Sequence, residues 1–503
     1  MTRSAGLAAG VLAAAAVVWG LLALQDRPPS LPRKQLLARL PSRVVEGGAA
    51  VSGDLRHVAF QEQLDRGVRM ILDGVPGPAY GFISTRSFAP GSDRLFYWAR
   101  QPAAGRSDQM FLVAGGTPYP VGVSRHEYLT FSQDGRRWAV LAGIPAPPDG
   151  APPDDRGVFV LVDGREQGRW IDASAPAFAG DGAHVAWLVA EPAPAGGSTR
   201  RLLVDGSAVA TYAGSAGPCV SPIEPDVEGT HLPRYERVFY LADGRLVALV
   251  RDGDGWTLRR DHEVLGRYPV VQGVSTGGQV MEVAGDACAR QPAIASGSLA
   301  AAKDTPALFW WERLRGRWRV VRDGLPVDDV TCERPWELQP PVVSDDGNGW
   351  AYPCVTGTPV TGQEILVVTP RGRYGPYREV WSLALSDDGS RVAYGASVEG
   401  GVDATWRIYA DGVPFPPGYH AVWRPRFDPT GHHVAWEGIP SPGARPWLAI
   451  DGRNLVRFDE LINGPVFLEP GWASWAVRQG RRLARINLGL DASVPLRSAT
   501  GGG

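Results

Sequence analysis

Lysine is nearly missing from this chain. It stands only at positions 34 and 303, so almost all of the 51 basic residues are arginine. They are not gathered into one block, and 53 acidic residues bring the formal net charge to −2. Nothing in that balance gives reason to expect nucleic acid as a partner. Cysteine is scarce too, with four in 503 residues, all between positions 219 and 354. Long helical windows are almost absent, because proline and glycine interrupt nearly every one. None of the eight histidines falls in a metal-ligand spacing such as HExxH. RDGDG (251–255) lacks the later acidic positions of a calcium loop and reads as a hairpin turn. GVSTG (273–277) fits the nucleophile-elbow pattern, but no helix follows it, so it reads as a chance match. The sequence therefore predicts no catalytic residues, no metal and no cofactor.

One long apolar run is present. Residues 5–24 (AGLAAGVLAAAAVVWGLLAL) carry no charge. Twenty helical residues rise about 30 Å, the thickness of a bilayer core. No small-x-small cleavage site follows Leu24 and no cysteine adjoins the run, so the sequence predicts an uncleaved single-pass anchor with an exported body. A cleaved signal is the alternative. Arg27, Arg33, Lys34, Arg39 and Arg43 follow the run, and the positive-inside rule alone would keep the body cytoplasmic. An even number of cysteines weighs towards a periplasmic or extracellular body.

Gly (63) and Pro (44) are abundant and spread along the chain. They punctuate a repeat. A hydrophobic residue leads into a polar-Gly turn, and a strand is centred eight residues on. The leading residues are Val51, Phe88, Phe131, Phe178, Tyr240, Val274, Val343, Leu385, Phe427 and Phe467. Small residues recur eight places later, at Ala59, Ala139, Ala186, Ala248, Ala351, Ala393 and Ala435. Phe96, Glu282 and Trp475 depart from this. Each unit then carries a second strand ending in Asp-Gly, as in MILDG (70–74), VLVDG (160–164), LLVDG (202–206), VVRDG (320–324), IYADG (408–412) and LAIDG (448–452). Asp-Gly suits a two-residue hairpin, since glycine takes positive φ without strain and Asp tolerates it.

Such units of about four short strands in roughly forty residues predict an all-β propeller. Ten repeats imply one large ring or two smaller rings behind the N-terminal helix. The boundaries read as an anchor at 1–24, a linker at 25–43, a propeller at 44–490 and a flexible tail at 491–503. The tenth unit stops after its third strand, and residues 36–46 are the expected closing strand from the other end of the chain. Trp187, Trp350 and Trp436 are expected in the core.

The pattern F-S-x-D-G-x-x-x-A-h, in FSQDGRRWAV, FAGDGAHVAW, LSDDGSRVAY and FDPTGHHVAW, resembles the repeats of TolB-like propellers, relatives of WD-repeat propellers. The resemblance covers most of residues 44–490. It implies a propeller fold and leaves function open, because that family includes periplasmic scaffold proteins and non-catalytic domains of peptidases.

The repeated Asp73, Asp163, Asp205, Asp323, Asp411 and Asp451 read as turn residues pointing to water. His57, His184, His432 and His433 read as surface positions. Two insertions, 213–236 and 284–306, break the repeat. They hold Glu224, Asp226, Glu228, His231 and Asp286, which could supply acid-base pairs. Cys219 and Cys288 could bridge the two insertions, and Cys332 and Cys354 are close enough to pair. WWERLRGRWRVVRDG (310–324) forms a hairpin with Arg313, Arg315, Arg317, Arg319 and Arg322, which could meet an anionic partner. The sequence thus predicts a non-enzymatic scaffold in the cell envelope for a protein or polymer. The alternative is a hydrolase or glycan-active enzyme built at the channel mouth from the unrepeated loops.

Overall fold

The structure is a computed structural model. It describes residues 33–102, 108–122, 128–143, 157–192, 198–214, 236–253, 255–272, 291–295, 298–336, 339–357, 363–401, 403–469 and 471–490. Residues 5–24 lie outside these. Ten β-sheets follow one another along the chain. We number them as blades 1 to 10, spanning residues 44–80, 82–121, 128–170, 172–214, 237–268, 270–326, 334–377, 379–414, 421–457 and 460–489. Most are antiparallel meanders of four strands, a to d in chain order. Blade 6 is the most irregular, with Val270–Gln272 added in parallel beside Ala293–Ala295.

One ring closes, not two. Each blade shares an apolar cluster with the next, from blades 1 and 2 (Tyr80, Ile83, Tyr97) to blades 9 and 10 (Leu448, Trp475, Ile486). A further cluster joins blade 10 to blade 1 through Leu483, Val58 and Leu55. The a strands of successive blades also approach one another, which places them around the axis. The small residues eight places after each lead are buried at these packed faces, and Trp187 and Trp436 are fully buried beside them. Burying such a side chain is worth about 1.5–3 kcal/mol, so the blades support each other.

The closing strand is Arg33–Arg39, paired antiparallel with Arg482–Gly489 as the outermost strand of blade 10. The expected segment 36–46 straddles two elements, since Val44–Val51 is strand a of blade 1. Residues 33–39, read from the sequence as linker, therefore belong to the ring. Their alternation is weak because only Leu37 and Ala38 pack on the core, with Leu40 buried just beyond.

The sixth repeat also sits elsewhere than the sequence suggests. Val274 and Glu282 lie outside the described residues. The turn between strands a and b of blade 6 is formed by Ala302–Ala307, with the Ala302 N–H bonded to the Ala307 carbonyl at 3.0 Å. The leading position there is Ala301, too small to signal a repeat, within a stretch that reads as insertion.

The strand order gives the ring two unlike faces. The a–b and c–d turns emerge together on one face, and nearly all are tight. The b–c and d–a connections emerge on the other. On that face strands Trp138–Gly143 and Ser207–Gly214 end, and strands Val158–Val162 and Arg237–Tyr240 begin.

Candidate functional site: the channel wall and the face of long connections

The tight-turn face consumes the repeated polar residues. In each Asp-Gly turn the Asp adopts positive φ, from 48° at Asp73 to 51° at Asp163 and Asp205. Its carboxylate does not point to water. One oxygen accepts the N–H of the first residue of strand b: Val58 (2.8 Å), Trp138 (2.9 Å), Val185 (3.0 Å), Val392 (2.9 Å) and Val434 (2.9 Å). The other meets the side chain just before it: His57 (2.8 Å), Arg137 (2.9 Å), His184 (2.6 Å), Arg391 (2.8 Å) and His433 (2.6 Å). The Asp partner raises the His57 and His184 pKa values through these hydrogen bonds. His433 is buried, not a surface residue. Asp261 of blade 5, in an Asp-His turn, makes the same backbone bond to Leu246 at 2.9 Å. Asp323 departs from the pattern and accepts from Arg260 of blade 5 at 2.9 Å.

The a–b turns are tied in a second way. Ser132, Ser344 and Ser386 donate to Asp134, Asp346 and Asp388 at 2.6 Å each. Each serine oxygen also accepts a backbone N–H five residues on. These bonds to the charged form lower the three carboxyl pKa values. The Asp, His and Ser residues that a functional reading would choose first are thus fastening strands.

The arginine hairpin of blade 6 is largely neutralised. Arg319 pairs with Glu312 at 2.7 Å and Arg317 pairs with Glu333. Arg313 is buried over the Trp318 ring, and Arg322 lies over Phe309. Arg315 occupies the turn, with φ 52°. Its alternating charges cross-link strands and do not gather at one tip.

Cys332 and Cys354 form a disulfide between the segment leaving blade 6 and strand b of blade 7. Both sulfurs sit in the core between those blades. The bridge spans 22 residues, for which loop entropy predicts about 3 kcal/mol of stabilisation. The double variant Cys332→Ala/Cys354→Ala should lose that amount in denaturant titration, and reductant should no longer affect it. Cys219, Cys288, Glu224, Asp226, Glu228, His231 and Asp286 lie outside the described residues, as does GVSTG.

The channel wall is where sequence reasoning found no signal. Strand a is long in blades 8, 9, 10, 1 and 2, from 7 to 10 residues, and short in blades 3, 4, 5 and 7, with 2 to 4. All five long strands shift register against strand b. At two of the shifts non-glycine residues take positive φ, Ser382 (54°) and Arg424 (50°). Such bulges re-aim side chains. Trp381 and Trp423, each just before the positive-φ residue, are left 40% and 39% exposed.

Arg86, Arg237, Arg424 and Arg426 stand on a strands. Among the described residues none of them has a carboxylate within ion-pair distance. Arg86 gives one bond to the Ala49 carbonyl at 3.3 Å, while its Nε is buried without a partner. Burial lowers the pKa of Arg86. A cavity of about 470 Å³ opens at Arg86 between blades 10, 1 and 2, lined also by Ala49, Ala50, Ser87, Ile462 and Asn463. A second, of about 320 Å³, lies at Arg237 with Tyr128, Phe239 and Leu299. Glu236 beside it is held by Arg200 at 2.7 Å.

Glu437, on strand b of blade 9, is buried with one carboxylate oxygen unpartnered. Burial pushes its pKa up to about 7, against the pull of Arg424 and Arg426. The folded state therefore favours the protonated acid. Ionisation of the unfolded chain erodes stability as pH rises from the ordinary carboxyl range to about 7, after which the loss is constant. Glu437→Gln should raise stability above that range by on the order of 3 kcal/mol and leave it unchanged at acid pH, as read from urea midpoints at the two pH values.

No family model matches the chain, and no curated protein does. Solved structures do. A eukaryotic initiation factor aligns with 79% of this chain and 92% of its own, at 12% identity and TM-score 0.44. The β-propeller domain of the trilobed protease from Pyrococcus furiosus aligns with 75% of this chain and 99% of its own, at 10% identity and TM-score 0.29. TolB from Acinetobacter baumannii aligns with 61% of this chain and 80% of its own, at 12% identity and TM-score 0.24. Likenesses this distant carry no functional argument. The chain's own sheet order is what identifies a ten-bladed β-propeller.

Proposed function

We propose that the chain is a non-enzymatic binding platform of the cell envelope, tethered through residues 5–24 or exported, which engages a protein or envelope polymer. One observation carries the reading: the repeated polar side chains are spent on fastening strands, through the Asp-to-backbone and Ser-to-Asp bonds of the tight turns. A rigid scaffold that presents variable connections on one side is the usual arrangement for recognition. The test is capture from envelope extracts with residues 33–490 as bait. A partner should be retained, and shortening the connection between Gly214 and Arg237 should release it. Failure to retain any envelope component would overturn the platform. Hydrolysis of a glycan, ester or peptide that disappears in Glu224→Gln or Asp226→Asn would replace it with an enzyme at the channel mouth.

A further inference from the structure

We propose that four tryptophans at one end of blades 7, 8 and 9 form a binding surface for a neutral polysaccharide. Strands a and c both begin on the face where the b–c and d–a connections emerge. Trp336 follows Arg334–Pro335, which opens blade 7, and Trp381 is the third residue of strand a in blade 8. Trp406 immediately precedes strand c of blade 8, and Trp423 is the third residue of strand a in blade 9. Contacts tie them into one surface. The Trp336 indole N–H donates to the Val380 carbonyl at 2.8 Å, one residue before Trp381. Trp381 and Trp406 lie with ring centroids 6.4 Å apart. Strand a of blade 9 packs along strand a of blade 8. Trp423 repeats the register of Trp381, each standing at the last pair before its strand shifts.

The display is built, and it departs from the repeat. Trp381 and Trp423 are each followed by a non-glycine residue at positive φ, Ser382 and Arg424, and such backbone outliers cluster at ligand clamps. No tryptophan stands on strand a of blades 1, 2 and 10, which are shifted in the same way. The surroundings choose the ligand. A protein interface strips charge from its apolar centre. Here charged side chains of both signs alternate with the rings: Glu379 two residues before Trp381, Arg407 beside Trp406, and Arg424 beside Trp423. That mixture favours neither a polyanion nor a polycation. A sugar ring matches it, with one face of C–H groups for an indole and a rim of hydroxyls that donate to carboxylates and accept from guanidiniums. A polymer of such rings meets several indoles at once, so weak contacts add up. That the polysaccharide belongs to the envelope rests on the platform reading; the chemistry of the surface does not.

The experiment is native affinity electrophoresis of the full chain in a neutral detergent, through gels holding hydroxyethylcellulose or glycol chitin, with polyglutamate as the charged control polymer. At least one of the two polysaccharides should retard the chain, and polyglutamate should not. Trp381→Ala and Trp423→Ala should each raise the dissociation constant by about tenfold, and Trp381→Phe should recover part of the loss. Leu325→Ala, on the outer strand of blade 6, should leave retardation unchanged. Circular dichroism melts would show that each variant is folded, as expected for exposed rings. No retardation by either polysaccharide, or retardation indifferent to both Trp381→Ala and Trp423→Ala, overturns the site. An envelope protein that the chain captures and Trp381→Ala releases also overturns it, because the surface then seats a protein. Envelope capture that persists in both variants while neither gel retards the chain leaves the platform standing and removes this surface. Retardation that both variants abolish, without any envelope capture, keeps the surface and removes the envelope from it.

Discussion

A chain beginning at residue 41 should melt well below one beginning at residue 33. The two differ only by the strand Arg33–Arg39 and its neighbour Leu40. That strand pairs along Arg482–Gly489 from Arg33 opposite Asn487 to Arg39 opposite Arg482. Leu40 is 3% exposed, with its N–H bonded to the Arg481 carbonyl at 2.9 Å. Arg33 lies over the Trp472 ring at 4.9 Å. Losing the ladder and the burial of Leu37 and Leu40 costs on the order of 5 kcal/mol. For a domain of this size that amounts to a fall of roughly 5–10 °C. The transition should also broaden, because strand c of blade 10 becomes an open edge and the ring can unzip from there. Adding the peptide 33–40 in trans should restore part of the loss in a concentration-dependent way. Equal melting temperatures would mean that closure adds nothing.

Trp311→Ala should cost about 3–5 kcal/mol, as large aromatic truncations in tight cores do. Trp311 is fully buried between blades 6 and 7, in the cluster that holds the disulfide. Its indole N–H donates to the Gln339 carbonyl at 2.9 Å, and Tyr352 meets its ring edge-on at 4.9 Å. Truncation opens a cavity and removes that hydrogen bond. Trp381→Ala, at the channel, should change stability by less than about 1 kcal/mol, because its ring is 40% exposed. Denaturant midpoints of the two variants would separate the roles, and similar losses at both sites would contradict this view of the core.

The ring, the repeat period and the borrowed strand are legible in the sequence because each leaves a local mark. Asp-Gly and Ser-x-Asp-Gly are needed where the chain must reverse in two residues. The incomplete tenth unit announces a missing partner. Blade 6 is obscured because its turn, Ala302–Ala307, uses neither signature. The role of the aspartates was hidden for a different reason. The bond from Asp163 joins a residue 25 positions away, Trp138, and only the finished blade brings them together. The register shifts of the long a strands are hidden most deeply, because they arise from pairing with strand b and leave no local mark at Trp381 or Trp423.

The closing strand also sets a schedule. Residues 33–39 leave the ribosome long before their partner at 482–489, and at about 5–20 residues per second the delay is roughly 20 to 90 seconds. Throughout that interval a sticky ribbon would be free to dock on the wrong neighbour. Its sequence, RKQLLAR, answers this with three cations on seven residues, a repulsive coat of the sort that keeps unpaired ribbons apart. The same residues that would slow an early mistake are harmless once the last blade arrives.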